Sequence, residues 1–297
     1  MNLPTVKQLR YIVELEKHAH FGKAAEACFV SQSAFSVAIR ELESTLGTQL
    51  FDRTNRRVTI TAMGQEIVVQ ARLVIRDLEA LMDMAQISSE PLSGKLRLGI
   101  IPTISPFLLP KILPKLRSYF PQLQLFLQED TTQRVYERLM SGELDLILIA
   151  FPYELRNVEK MALFKDPFLL AYKKGSQFIE KQKTTADNLQ SESILLLEDG
   201  HCLRDHALSA CKIRNLNKVS HFAASSLLTL IEMVEADLGV TYLPEMAKGS
   251  PMLKNTNIKT QAMPKSSHRE IGLTWRKGSA RGKEFKMLGE FIKKNRK

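Results

Sequence analysis

Two cysteines with charged neighbours stand out in the stretch DGHCLRDHALSAC, Asp199 to Cys211. Cys202 and Cys211 are nine positions apart, and His201 and Arg204 flank the first of them. If the stretch is a helix, a rise of ~1.5 Å per residue separates the two cysteines by ~13 Å. A disulfide requires Cα atoms about 4.4–6.8 Å apart. Either the two thiols never pair, or pairing them rebuilds this part of the fold.

The neighbours of Cys202 favour redox chemistry at its sulfur. Oxidants attack the thiolate rather than the thiol. Cys202 follows Asp199–Gly200 at the predicted start of a helix, where the helix dipole and unpaired N–H groups stabilise an anion. Arg204 and His201 add positive charge or hydrogen bonds, whereas Asp205 opposes the anion but can orient Arg204. We therefore expect a thiolate at Cys202.

A metal site is a second interpretation of the same stretch. Cys202 and His206 lie at i, i+4 on one helical face, with His201 and Cys211 nearby, and Zn²⁺ accepts Cys and His ligands. The spacing matches no common zinc module, and Cys211 would lie too far along the same helix. We expect no bound metal and no cofactor.

Length and composition restrict the class of protein. A chain of 297 residues accommodates about two domains. No apolar run approaches the ~20 residues of a membrane span, and the N-terminal sequence lacks the apolar core of a signal peptide. Three cysteines argue against a structural disulfide framework. These features predict a cytoplasmic protein without a membrane partner.

The net charge of +10 suggests a polyanionic partner, but the charge is unevenly distributed. Residues 1–64 contain eight Lys/Arg against six Asp/Glu, and residues 265–297 contain eleven against three. The C-terminal end could be a solvated basic segment or a second nucleic-acid contact. Net charge alone therefore does not establish DNA binding.

The N-terminal residues predict a winged helix-turn-helix. Residues 5–19 predict one helix, and a short second helix contains the small residues Ala24, Ala25, Ala27 and Cys28. A third helix follows, capped by Ser31 and ended by Gly47. The third helix has one apolar face, formed by Phe35, Ala38, Ile39, Leu42 and Leu46. The sequence LFDRTNRRVTITAMG then predicts a two-stranded wing.

A long helix is predicted from Gly64 to about Ser88. Its apolar residues step by four and three in a heptad seam, comprising Ile67, Ala71, Val74, Leu78 and Leu81. Burial against its own domain is one interpretation. We favour dimerisation, because the seam follows a DNA-reading unit and DNA half-sites favour two-fold proteins.

The sequence SSEPLSG, residues 88–94, predicts a hinge. Beyond it strand and helix patterns alternate, which predicts an α/β domain with largely parallel sheets. Ligands of such a domain lie in a crevice beyond the carboxyl ends of the strands.

The stretch from Leu9 to Gly64, LRYIVELEKHAHFGKAAEACFVSQSAFSVAIRELESTLGTQLFDRTNRRVTITAMG, resembles the LysR-type transcriptional regulators, and the layout of the whole chain fits. Within that family, IPTISPFLLP and GHCLRDHALSAC are similar to the hydrogen-peroxide sensors. The resemblance implies a winged helix-turn-helix at 1–64, with the helix-turn-helix itself at about 21–40, and a linker helix with its hinge at 65–90. It also implies a periplasmic-binding-protein-like regulatory domain at 91–297. Its subdomain I would comprise about 91–164 and 269–297, and its subdomain II about 165–268.

The resemblance also implies a function, that of a redox-sensing transcriptional regulator rather than an enzyme. Hydrogen peroxide would oxidise Cys202 to a sulfenic acid, and Cys211 would resolve it to a disulfide. The refolded regulatory domain would then change promoter binding and activate oxidative-stress genes. The implied partners are double-stranded DNA, further copies of the chain in a dimer of dimers, and RNA polymerase.

Each end of the chain then has a set of candidate residues. The resemblance places in the peroxide pocket Thr103, Thr132, His201, Arg204, Asp205 and Arg269. Thr103 and Thr132 have an alternative role as caps of the helices that follow them. The residues expected on DNA are Ser31, Gln32, Ser33, Ser36 and Arg40 on the recognition helix and Arg53, Arg56 and Arg57 in the wing. Cys28 is expected to be a packed core thiol.

Two further functions remain open. The protein could be a LysR-type regulator with inert cysteines that binds a small organic effector in the crevice, with Thr103 serving a ligand carboxylate. It could also be a thiol peroxidase in which Cys202 turns over. The DNA-reading sequence at the N-terminus argues against catalysis as the main purpose.

Overall fold

The computed structural model describes residues 3–53, 58–85, 92–179 and 189–296. Within these ranges no helix is both long and apolar enough to cross a membrane. The chain divides into an N-terminal and a C-terminal unit.

The N-terminal unit has the predicted winged helix-turn-helix fold. Its elements are α1 (Val6–His18), α2 (Phe21–Ala27), α3 (Gln32–Leu46), β1 (Phe51–Arg53), β2 (Val58–Ile60) and α4 (Ala62–Ala85). The predicted ends of α3 are confirmed, since the Ser31 hydroxyl accepts from the Ala34 N–H and Gly47 follows with φ of 67°. β1 and β2 pair antiparallel as the wing.

The apolar face of α3 forms the centre of this unit. Phe35, Ile39 and Leu42 are fully buried, and the Phe35 ring stacks on Tyr11 of α1 at 4.6 Å between centroids. Because the apolar residues recur every three or four positions, they occupy one side of the helix and leave the opposite side to solvent.

The C-terminal unit begins as a parallel α/β arrangement. Its first elements are β3 (Gly94–Ile100), α5 (Ser105–Tyr119), β4 (Leu123–Glu129), α6 (Thr132–Met140) and β5 (Leu146–Phe151). β4 and β5 both pair parallel with β3. The carboxyl ends of β3 and β4 therefore lie at the same edge of the sheet.

The remaining elements include long antiparallel strands. They are β6 (Val158–Lys173), β7 (Ile194–Leu197), α7 (Cys202–Ala210), β8 (Val219–Ala224), α8 (Leu227–Glu235), β9 (Thr241–Pro244), α9 (Pro251–Lys254), β10 (Ile258–Ala262), β11 (His268–Arg276) and α10 (Gly282–Asn295). β6 pairs antiparallel with β9, β10 and β11, and β11 pairs antiparallel with β5. The expectation of largely parallel sheets was wrong here, because β6 and β11 run against their neighbours.

Two hydrophobic cores fill this unit. The first contains Leu98 of β3, Ile147 of β5 and Trp275 of β11. The second contains Leu195 of β7 and Ile231 of α8. The 16-residue strand β6 passes between them, contributing Leu163 to the first core and Phe168 to the second.

Candidate functional site

The candidate site lies where the ends of four elements of the C-terminal unit meet. Thr103 follows β3, Thr132 begins α6 after β4, Cys202 begins α7, and Arg269 is on β11. All four residues are buried, with exposed fractions between 1% and 6%. The site is thus an interior cluster of polar groups at the edge where the parallel strands end.

Arg269 makes an ion pair, and each nitrogen of its guanidinium group donates a hydrogen bond. Its Nε donates to Asp166 Oδ2 at 3.0 Å, Nη1 donates to Thr103 Oγ1 at 2.8 Å, and Nη2 donates to the Thr103 carbonyl at 2.8 Å. Asp166 also accepts from the Met246 N–H at 3.1 Å. A buried ion pair needs such additional bonds to offset its desolvation. The guanidinium is therefore fixed in one orientation.

Asp166 is a residue of the site that was not predicted from the sequence. It lies opposite Arg269 in the antiparallel pairing of β11 with β6, and it is 3% exposed. A carboxylate embedded in the apolar run FKDPFLLAY was a usable signal, since a buried charge in a strand requires a partner.

Neither threonine of the site caps a helix. The N-cap of α5 is Ile104, without a side-chain hydrogen bond, and the Thr103 hydroxyl instead accepts from Arg269. The Thr132 hydroxyl oxygen is buried and has no hydrogen-bond partner among the described residues. The alternative role of both residues as caps is therefore wrong, and Thr132 presents an unused polar group to the site.

Burial raises the pKa of the Cys202 thiol, which favours its protonated form. The nearby Thr132 hydroxyl and the charge of Arg269 oppose that shift, whereas Asp205 reinforces it. Thr132 acts as a close polar neighbour rather than a full hydrogen-bond partner, since its oxygen satisfies no hydrogen-bond geometry. The expected resting thiolate was wrong, because desolvation outweighs the favourable charges around the sulfur.

Arg204 does not supply the positive charge that was expected beside the thiol. Its Nε pairs with Asp199 Oδ1 at 3.0 Å, and its Nη1 donates to the Leu197 carbonyl at 3.3 Å. His201 is the half-buried N-cap of α7 and makes no side-chain cap bond, and Asp205 is exposed. Of the six predicted pocket residues, Thr103, Thr132 and Arg269 are the ones that the structure brings together around Cys202.

Cys211 ends the same helix and lies in different surroundings. α7 comprises nine residues, Cys211 is its C-cap, and both thiols are free. At ~1.5 Å per residue the two cysteines are ~13 Å apart along the helix. Cys202 packs in the first core and Cys211 in the second, where burial raises the pKa of Cys211 to about 12. A disulfide between them requires α7 to unwind.

The described residues contain no group of three or more His, Cys, Asp or Glu side chains arranged to hold a metal. His206 is instead bonded through Nε2 to the Pro152 carbonyl at 2.7 Å. In the described part of the chain, His206 therefore faces a backbone carbonyl and not a second metal ligand.

The outer face of α3 carries the residues expected on DNA. Gln32, Ser33 and Arg40 are exposed, Ser36 is half-buried, and Ser31 bonds Ser33 through their hydroxyls at 3.1 Å. Arg53 ends β1, but its side chain lies outside the described part of the chain, as do Arg56 and Arg57 entirely. Cys28 is half-buried against the core of this unit, and burial raises its pKa.

The predicted seam of α4 divides into two parts. Ile67 and Ala71 pack into the core of their own unit, whereas Val74, Leu78 and Leu81 are exposed. The first part therefore contributes to the fold of the single chain, and the second part presents apolar surface. The proposed hinge falls mostly on 86–91, outside the described residues.

Two cavities lie away from Cys202. One of about 190 Å³ is lined by Phe107, Asp166 and Arg296, and one of about 240 Å³ by Phe168, Met263 and His268. Lys165 and Glu245 line both. Such volumes are large enough for a small organic molecule.

Comparison with known proteins gives the family. Residues 6–65 match the bacterial regulatory helix-turn-helix protein, lysR family, and residues 89–297 match the LysR substrate binding domain. The chain is 38% identical over 288 residues to the DNA-binding transcriptional dual regulator OxyR of Escherichia coli K12, covering 97% of this chain and 94% of that protein. It is also 38% identical over 293 residues to the HTH-type transcriptional regulator EstR of Acinetobacter baylyi, covering 98% and 97%. A full-length OxyR variant from Pseudomonas aeruginosa superposes with a TM-score of 0.82 at 33% identity, covering 98% and 95%. The chain belongs to the LysR family of DNA-binding transcriptional regulators and is similar to OxyR along its whole length.

Proposed function

We propose that this LysR-family protein is a hydrogen-peroxide-responsive transcriptional regulator. The observation that carries the proposal is the buried cluster around Cys202, where the unpartnered Thr132 hydroxyl and the fixed Arg269–Thr103 pair surround a thiol. The similarity to OxyR supports the same function, because relatives of this chain are named as hydrogen peroxide-inducible genes activators.

The cluster suits a small neutral oxidant with two oxygens. Thr132 can donate to or accept from peroxide, and Thr103 accepts from Arg269 while its own hydroxyl proton can point to the ligand. The new hydrogen bonds and the charge of Arg269 would favour the Cys202 thiolate once peroxide is bound. The sulfur then attacks one oxygen, the O–O bond breaks, and the products are a sulfenic acid and water.

The second step joins the two cysteines. The Cys211 sulfur attacks the Cys202 sulfenic sulfur, an S–S bond forms, and the sulfenic oxygen leaves as water. Neither the ~13 Å separation nor the high pKa of Cys211 permits this while α7 is intact. Unwinding α7 would remove both obstacles, because Cys211 then leaves the core and meets water.

The signal would reach DNA through rearrangement of the C-terminal unit. In this proposal the chains form dimers and tetramers through surfaces that include Val74, Leu78 and Leu81, and two N-terminal units read paired half-sites. Refolding of α7 would change that assembly, promoter binding and contacts with RNA polymerase. One peroxide is consumed per event, so the protein would act as a sensor in the cytoplasm and not as an enzyme.

The test is a map of the thiols after brief exposure to near-stoichiometric peroxide, quenched by alkylation and digested without reduction. We expect a Cys202–Cys211 disulfide, an alkylated Cys28 and a changed DNA footprint. In Cys211→Ser the oxidation should stop at the sulfenic acid. Three alkylated thiols, or identical footprints before and after peroxide, would contradict the proposal.

A regulator of a small organic effector is the second candidate. The two cavities and the similarity to EstR, whose name mentions no oxidant, favour it. In that case peroxide would leave the footprint unchanged, and Cys202→Ser would respond to inducer as the unmodified protein does.

A further inference from the structure

His206 occupies the middle of α7 and makes a contact outside the helix. It is four positions after Cys202 and five before Cys211, and it is 5% exposed. Its Nε2 lies 2.7 Å from the carbonyl oxygen of Pro152, in the connection that follows β5. The two residues are 54 positions apart in the chain.

The carbonyl oxygen settles which ring nitrogen carries the proton. A carbonyl can only accept, so His206 Nε2 donates and Nδ1 is left as the unprotonated nitrogen of a neutral imidazole. Nδ1 is buried and has no hydrogen-bond partner among the described residues. The ring is therefore held through one nitrogen, by a backbone carbonyl in the connection after β5.

Apart from the approach of Cys202 to Thr132 and Arg269, the other polar side-chain contacts described for α7 are local. Arg204 bonds Asp199 and Leu197, which belong to the segment that leads into the helix. Such contacts can move together with the segment when it refolds. The bond from His206 to Pro152 cannot, because Pro152 lies outside that segment, in the connection between β5 and β6.

We propose that His206 is a positioning residue whose hydrogen bond to Pro152 latches α7 in the reduced conformation and so controls how readily Cys211 reaches Cys202. The ends of the segment must approach from ~13 Å to about 4.4–6.8 Å between Cα atoms. The residue midway between them must then leave its place. Its role in switching rests on the peroxide response proposed above, whereas its hold on α7 does not.

The two oxidation steps respond differently to this latch. Formation of the sulfenic acid needs the cluster around Cys202 and leaves α7 intact, so it does not require the bond to break. Formation of the disulfide requires unwinding. Loss of a net hydrogen bond should therefore accelerate disulfide formation by roughly fivefold and leave sulfenic acid formation unchanged.

A matched pair of variants isolates the hydrogen bond. In His206→Gln the amide nitrogen lies at about the reach of Nε2 and can still donate to Pro152. In His206→Asn the amide is one carbon shorter and cannot reach. Neither variant titrates, and Ser209→Ala, on the exposed side of the same helix, serves as the control.

The experiment follows both steps in the full-length protein by rapid quench and mass analysis, with a sulfenic-acid trap for the first step and non-reducing digestion for the second. We expect faster disulfide formation in His206→Asn and near-native rates in His206→Gln and Ser209→Ala. Equal disulfide rates in His206→Asn and the unmodified protein would overturn the proposal. A slower first step in both His206 variants would also overturn it, by assigning His206 to the peroxide reaction.

Amide hydrogen exchange of the reduced protein tests the latch without peroxide. Residues 203–210 should exchange roughly fivefold faster in His206→Asn than in His206→Gln. Equal exchange rates in the two variants would show that the His206–Pro152 hydrogen bond does not stabilise α7. Absence of any disulfide in the unmodified protein, together with the expected exchange difference, would contradict the proposed function and leave the latch standing.

Discussion

The two helices to which the proposed function gives the main roles, α3 and α7, are held in different ways. α3 has 15 residues, a Ser31 cap at its start and Gly47 in the left-handed conformation at its end. α7 has nine residues, and its N-cap, His201, makes no side-chain bond. A capped helix with a continuous apolar face is a stable platform for reading DNA, whereas a short and poorly capped helix unwinds at lower cost.

The difference extends to what each helix buries. α3 buries Phe35, Ile39 and Leu42, all in one core. α7 ends in two thiols that pack in separate cores. α3 therefore packs into a single core, whereas α7 has one end in each of two cores. If the proposed function is right, stability and responsiveness belong to separate segments of the chain.

The largest effect on the responsive region should come from Arg269→Met. It leaves the Asp166 carboxylate buried without its partner, which costs about 3–5 kcal/mol. Thermal unfolding of the C-terminal unit measures the loss. Adding Asp166→Asn to Arg269→Met removes the uncompensated buried charge and should restore much of the stability. A double variant no more stable than Arg269→Met would show that the ion pair is not the cause.

The stability of α3 can be reduced by removing its N-cap side chain. In Ser31→Ala the Ala34 N–H loses its acceptor, which should cost about 1 kcal/mol of stability in the N-terminal unit. Denaturant unfolding monitored on that unit reports the change. Ser33→Ala, which lacks the cap role, is the matched control for lost hydroxyl contacts. Equal unfolding of the two variants would remove the assigned cap.

The helix α7 can be stabilised by adding an N-cap side chain. His201→Ser gives α7 an N-cap of a favoured type, worth about 1 kcal/mol. The disulfide should then form roughly fivefold more slowly than in the unmodified protein, measured from the trapped sulfenic acid onward. A faster second step would mean that unwinding does not limit the reaction.

The smallest expected effect is a dependence of α7 on pH. Burial lowers the pKa of His206, with Arg269 lowering it further and the Pro152 carbonyl and Asp205 opposing. The native state thus binds the proton less readily than the unwound segment, where the usual value of about 6.5 applies. The contribution of neutral His206 is complete above that value and is lost as the pH falls below it. Hydrogen exchange of α7, corrected for its intrinsic rate, should accelerate between pH 7.5 and 5.5 more in the unmodified protein than in His206→Gln.

The sequence predicts α3 and the wing better than it predicts the surroundings of Cys202 and α7. Caps and helical periodicity are local, so both ends of α3 and the wing followed directly from the residues. The strand β6 is hard to recognise in the sequence, because Lys165, Asp166 and Pro167 interrupt its apolar pattern and the partner of Asp166, Arg269, is distant in the chain. The state of Cys202 was misjudged because charges are visible in a sequence and desolvation is not. The division of the α4 seam also depends on tertiary contacts, because α4 packs against α1 and its residues Ile67 and Ala71 lie in the core of that unit.

The burial of each sulfur in its own core also implies selectivity by size. Cys202 and Cys211 are each 6% exposed, so a bulky disulfide such as oxidised glutathione has no approach to either sulfur in the reduced fold. Water-sized neutral molecules penetrate protein interiors far more readily than large or charged ones. We therefore expect the reduced protein to ignore the general thiol–disulfide balance of its surroundings and to accept only small oxidants. Once α7 has unwound, both sulfurs would be accessible to large reductants. Oxidation of the protein would therefore be restricted to small molecules, whereas its reduction would not be.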